Sequence, residues 1–182
     1  AEGGKLAGQI RTPSFDLRPL IGLVLGPVRQ VSTGKGWPAE PLAKPLATPF
    51  FGDLWIETDA AQIDDALALK AARFVLRFDA NVMSLEHADA RLGPVRMQGE
   101  MFLKRSEATA YVSARGRFDD VEGAKLWPNG LGGQASGEVQ ASGAGNTIAK
   151  IVQSLAGSGT LAFNDLSVPA FAPQALARLV AT

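Results

Sequence analysis

The chain has 182 residues, enough for one domain of ordinary size, and its 18 Lys plus Arg are balanced by 18 Asp plus Glu. A formally neutral chain exerts no long-range pull on nucleic acid or on an anionic membrane surface, which argues against polyanion binding. There is no cysteine, so disulfides, Cys–Zn sites and thiol catalysis are excluded.

The apolar fraction is 46%, yet only 7% is aromatic, so any core is built largely from small side chains. The most apolar stretch, Leu20 to Val28, is too short to span a bilayer and contains Gly22, Gly26 and Pro27. A chain that begins at Ala1 without a signal-peptide pattern reads as a processed chain or an excised piece of a longer one.

In chain order, Lys5 to Arg11 is a short strand candidate. Asp16 then caps a helix carrying Leu17, Leu20, Ile21 and Val24 on one stripe. Residues 28–49 hold Pro38, Pro41, Pro45 and Pro49, a density that excludes helix and central strand and predicts an extended connector. Leu54 to Thr58 and Ala72 to Phe78 are strands. Asn81 to Leu92 begins with Met83 and Leu85 on one parity and ends with Ala88, Ala90 and Leu92 on the other. That switch predicts a bulge near Glu86 or His87. Val95 to Lys104 and Ala108 to Phe118 alternate strictly, as half-buried strands do. Turn-sized gaps at Asp79 to Asn81, Leu92 to Pro94 and Lys104 to Ser106 make residues 72–118 an antiparallel meander. Asp119 or Asp120 starts a short turn toward Leu126. Gly132 to Ser142 is another alternating strand. Asn146 caps a helix with Ile148, Ile151, Val152 and Leu155, Gly157 ends it, and Gly157 to Asn164 is a strand. A last helix is predicted over Pro173 to Val180.

The predicted fold is mainly β, a curled antiparallel sheet forming a groove or open sandwich with two or three short amphipathic helices. Three units are expected: a strand–helix unit at 1–27, the Pro-rich connector at 28–52 and the sheet domain at 53–182. Residues 4–25 and 157–179 share a strand-then-helix plan, which suggests a degenerate repeat.

Catalytic chemistry is sparse. The single His87 precludes a two-histidine metal site or a histidine relay, and reads as a polar residue on a strand face. Asp64-Asp65 and Asp119-Asp120 with Glu122 lack the spacing of a calcium loop and read as caps and solvated charge. No Gly-x-Ser-x-Gly elbow is present, and Gly130, Gly132 and Gly133 precede a strand and not a helix N-terminus. No enzyme activity, metal or cofactor is expected. Trp37, Trp55 and Trp127 allow a sugar-stacking platform, although packing on the sheet is the commoner fate.

What remains is the apolar face. Phe74, Leu76, Val95, Met97, Met101, Leu103, Val112, Val139, Leu161 and Phe163 would line it. Small residues at Gly133, Ala135, Gly137 and Ala141 leave volume above the sheet. Either the protein's own helices fill that volume, closing a core, or an acyl chain does.

Certain motifs resemble the C-terminal region of the AsmA-like family. Trp37-Pro38-Ala39-Glu40-Pro41-Leu42 followed by Gly52-Asp53-Leu54-Trp55-Ile56 is similar to its Trp-rich connector leading into a new sheet. Leu85 to Gly93 followed by Val95 to Gly99 resembles its strand pair with a Gly turn. Gly137 to Gly143, the helix to Leu155, and Gly157-Ser158-Gly159-Thr160-Leu161 resemble its closing signature. Gly8-Gln9-Ile10 through Asp16-Leu17 is similar to the segment preceding the connector. The resemblance implies an envelope protein of Gram-negative bacteria, anchored in the inner membrane at full length and extending into the periplasm. It also implies kinship with TamB-like proteins, whose hydrophobic grooves are thought to carry phospholipids, and links to outer-membrane assembly. The implied partners are phospholipid or another acyl lipid and envelope assembly proteins, not nucleic acid. The rival expectation is a structural or assembly module whose apolar face is satisfied internally and which acts through protein contacts. The family implies no catalytic residues.

Overall fold

A computed structural model describes residues 4–26, 37–45, 50–63, 68–126 and 132–167. Eight strands form one sheet in the order of the chain: β1 (Gly4–Asp16), β2 (Phe50–Gln62), β3 (Ala68–Asp79), β4 (Val82–Leu92), β5 (Val95–Ser106), β6 (Thr109–Glu122), β7 (Gly132–Gly145) and β8 (Ala156–Ser167). The fold is mainly β, and the sheet is not closed into a barrel. Among the described residues three short helices accompany it: α1 (Arg18–Leu25), α2 (Gly123–Leu126) and α3 (Ile148–Gln153). The helix expected over Pro173 to Val180 lies outside the described residues, as do Trp127 and Asp64-Asp65.

Strand pairing is antiparallel from β2 to β8, but β1 pairs with β2 in parallel. The sheet is thus mixed: antiparallel pairing dominates as expected, and the one parallel pair among the described strands was not anticipated. Parallel neighbours need a crossover, and residues 17–49 supply it: the chain leaves β1, forms α1, runs through the Pro-rich segment and returns to β2. The strand–helix unit and the sheet domain are therefore parts of one sheet, and β2 already begins at Phe50.

The parity switch in β4 is a register shift between Leu85 and Ala88, with His87 at φ 51°. Comparable shifts fall between Phe118 and Val121, beside Asp120 at φ 50°, and between Gly132 and Gln134. These bulges return the apolar residues to one face on either side of the irregularity. The turn after β5 differs from expectation. Lys104 to Ser106 belong to the strand, and Glu107, at φ 50°, takes the turn. Arg105 pairs with Ala110 and faces the core.

Helix caps also differ in detail. Asp16 Oδ1 accepts the Arg18 N–H at 2.9 Å, so it does serve the start of α1, although Leu17 occupies the cap position. In α3 the cap is Thr147, whose hydroxyl accepts the Lys150 N–H at 3.0 Å, and not Asn146. The helix ends at Ser154, and Gly157 lies in β8.

Register assigns the two faces. One cross-strand row on the polar face runs Arg11, Glu57, Arg73, Asp89, Gln98, Arg117, Glu138, Thr160, one residue from each strand. Arg11 Nη2 meets Glu57 Oε2 at 2.7 Å, Arg96 Nε donates to Asp89 Oδ1 at 2.9 Å, and Arg117 Nη2 donates to Gln98 Oε1 at 2.7 Å. Alternating sign along the row favours this register, because a slip by one residue would turn the row toward the apolar side.

Candidate apolar binding face

On the opposite face the row Gly8, Leu54, Leu76, Leu85, Met101, Ala114, Ala141, Gly157 crosses the sheet without a polar residue. A neighbouring row runs Leu6, Gly52, Phe78, Met83, Leu103, Val112, Gly143. Side chains are large in β2–β5 and small in β6–β8, and this gradient divides the face.

Over β2–β5 the face is closed. α1 crosses it from the lower end of the sheet, where Leu17 N–H donates to Gln62 O at 2.9 Å, toward the upper end, which carries the β5–β6 turn. Leu17, Val24 and Leu25 pack with Ile56, Ala72, Phe74, Leu76, Met83 and Leu103 in one buried cluster, with Phe15 edge-on to Phe74 at 6.1 Å. Residues 37–45 continue the cover. Leu42 N–H donates to Asn146 O and Ala149 N–H to Pro38 O, both at 2.9 Å, while Pro41 bridges to Thr147. At the end of α1, Gly26 has φ 79°, and a Cβ there would stand 2.6 Å from Ala43 O. Only glycine satisfies both demands.

At the upper end of β7, α3 lies directly on the sheet. A Cβ on Gly143 would come within 2.7 Å of Ile151 O, and one on Gly145 within 2.6 Å of Ile151 N. Here the missing side chains are what admit the helix. Lower down, the Phe118 ring lies over Gly137, where a Cβ would meet its Cε1 at 2.7 Å.

Between α3 and Phe118 the face stays open. Val139 is 54% exposed and Leu161 47%, with Leu155 at the rim also 47% exposed. Gly157, Gly159 and Ala114 beside them are exposed, and Met97 is half-buried. Gly116, paired with Val139, has space in front of it. A Cβ there would find only Gln98 O at 3.7 Å and Met97 Cε at 3.8 Å, ordinary contact distances. No charged side chain belongs to this part of the face among the described residues.

The ten residues proposed as lining thus share one face but not one environment. Phe74, Leu76, Val95 and Leu103 are buried, Met97, Met101, Val112 and Phe163 are half-buried, and only Val139 and Leu161 are exposed. The small positions divide similarly: Ala135 is fully buried, Gly137 is roofed by Phe118, and Ala141 borders the open patch. Gly133, at φ 94°, marks a bulge. Arg105 and Gly116 matter to the site and were not singled out from sequence. Arg105 stood in a segment read as a turn, and Gly116 was one small residue among many.

Apart from Arg105, the charged residues of the cross-strand rows described above lie on the other face. His87 is exposed on its bulge beside Asp89, and the Asp89 carboxyl is held below its ordinary pKa first by its hydrogen bond from Arg96. No group of three or more His, Cys, Asp or Glu among the described residues is arranged to hold a metal ion. Trp37 is 64% exposed in the connector, and Trp55, 42% exposed, shares the polar side with Val75 and Gln9. The two therefore form no common platform. No described helix is long and apolar enough to cross a membrane.

Comparison with models of known protein families, with curated proteins and with solved structures finds no match.

Proposed function

We propose that this chain is a periplasmic lipid-binding or lipid-transfer module of an AsmA-like envelope protein, anchored to the inner membrane at full length and serving outer-membrane biogenesis. In this reading acyl chains of phospholipid shelter on the open part of the apolar face. The supporting observation is the unbroken apolar row that emerges from beneath α1 and ends at β8, with Val139 54% and Leu161 47% exposed. Each Å² of that surface covered by hydrocarbon is worth about 25 cal/mol. The interaction is non-directional, so it needs no charged group and no catalytic residue.

The rival is a structural or assembly module that acts through protein contacts. It draws support from the closed β2–β5 half, where the protein's own crossover fills the face. The open half favours lipid over a protein partner, because its described residues offer apolar side chains but no charged or hydrogen-bonding side chains for specific docking. Native mass spectrometry and lipid extraction of the purified chain test the proposal. Co-purified phospholipid or fatty acid is the expected result. A lipid-free chain that also ignores an added acyl probe rejects it.

A further inference from the structure

The polar face of the sheet is hollow over β4–β8, where it encloses about 810 Å³. Sites for small molecules span about 300–1,000 Å³. Register explains the hollow. Ser84, Phe102, Ser113 and Ser142 stand opposite one another on successive strands. The next row toward the lower end holds Glu100, Arg115, Gln140 and Ser158. Serines are short, so the floor sinks between longer neighbours. Phe102 and Tyr111, diagonal neighbours on β5 and β6, form an edge-on pair with ring centroids 6.4 Å apart. Phe102 is half-buried, and Tyr111 is 42% exposed.

The polar groups lining the hollow are only partly used. Arg115 Nε donates to Glu138 Oε1 at 2.7 Å, and Arg77 Nη1 meets Glu86 Oε2 at 2.9 Å, so these charges are already paired. Gln140 Nε2 donates to Ser158 Oγ at 3.0 Å, which leaves Gln140 Oε1 as an acceptor. The Glu100 carboxylate and the hydroxyls of Ser113, Ser142 and Tyr111 have no hydrogen-bond partner among the described residues.

A flat ring, hydroxyls of both senses and one free carboxylate suit a neutral sugar chain. The C–H side of a sugar ring can lie on Tyr111, whose body is apolar and whose tip is polar. Two adjacent sugar hydroxyls can donate to the two oxygens of Glu100, and serine hydroxyls both donate and accept. An anion is disfavoured, because the unpaired charge lining the hollow is negative. Hydrocarbon is disfavoured too, since it would strip water from Ser113, Ser142 and Glu100 and return no hydrogen bond. Strands lie about 4.8 Å apart, so the hollow reaches about 19 Å from β4 to β8, longer than a single sugar ring. We propose that this hollow binds a neutral oligosaccharide, with Tyr111 as the stacking ring and Glu100 and the serine row holding its hydroxyls. The site lies on the face opposite the apolar patch and stands whether or not lipid binds there.

Tyr111 is the one tyrosine of the chain, so labelling tyrosine with carbon-13 gives an NMR signal from this site alone. Maltotriose, cellotriose and triacetylchitotriose are titrated in turn. At least one should shift the Tyr111 ring signal saturably. The same sugar should bind at least tenfold more weakly to the double variant Ser113→Val with Ser142→Val, and several-fold more weakly to Glu100→Gln, each shown folded by circular dichroism. Glu100→Gln decides the matter if the double variant fails to fold. No shift with any of the three sugars, or unchanged affinity in a folded variant, overturns the proposal. Tighter binding of choline or of inorganic phosphate than of every sugar also overturns it, because the hollow would then be a cation or an anion site.

Discussion

The ring of Phe118 lies where a side chain on Gly137 would have to stand, with 2.7 Å between its Cε1 and a Cβ built there. The pair closes the lower border of the open patch. Gly137→Ala should destabilise the chain by about 1–3 kcal/mol through overpacking. Phe118→Leu in the same chain should recover part of that loss. Urea unfolding of the two single variants and the double variant measures the coupling, and strictly additive losses would show that the two residues do not compete for space.

α3 closes the upper border, and its start depends on Thr147. The hydroxyl accepts the Lys150 N–H at 3.0 Å, and the residue is 6% exposed. Thr147→Ala should cost about 1 kcal/mol, whereas Thr147→Ser should cost clearly less. Hydrogen exchange should quicken first at Lys150 and Ile151 in the alanine variant. An unaltered exchange pattern would remove the cap from the account.

Much of this arrangement was readable from the residues, and the missing parts have physical causes. Alternation, strict in some segments and brief in others, marked a part of each of the eight described strands, and the parity switch in Asn81 to Leu92 located the bulge at His87, because a sheet with one buried face cannot tolerate a phase error. Alternation says nothing about strand direction, so the parallel β1–β2 pair was missed. Within the Pro-rich segment the described residues 37–45 form no helix and no strand, but chain of that kind can lie anywhere. Its seat on the apolar face is set by long-range partners such as Arg105 and Asn146. For the same reason the ten lining residues were found as a face, while their division into covered and open could not be.

Acid should weaken the polar row at a definite place. Asp89 is held below its ordinary pKa, first by the hydrogen bond from Arg96 and then, against the opposing cost of desolvation, by the charges of Arg96 and Arg73. A carboxylate with a depressed folded-state pKa contributes stability above its unfolded value of about 3.9. That contribution is lost as pH falls through the lower folded value. Asp89→Asn should therefore flatten the decline in stability below about pH 4. Thermal melts of both proteins from neutral to acid pH read this, and parallel curves would show that Asp89 carries none of the acid dependence.

The central claim is that the patch between α3 and Phe118 takes hydrocarbon, and Gly116 offers the most direct test of it. The nearest atoms to a Cβ there are 3.7 and 3.8 Å away, ordinary contact distances, so a side chain can be added without a backbone clash at its Cβ. Titrating a fluorescent fatty acid into the wild-type chain and into Gly116→Phe, with both shown folded by circular dichroism, makes the comparison. The account predicts saturable binding to the wild type, displaced by unlabelled fatty acid, and at least tenfold weaker binding to Gly116→Phe. Equal binding by the two proteins, or none by either, would contradict it.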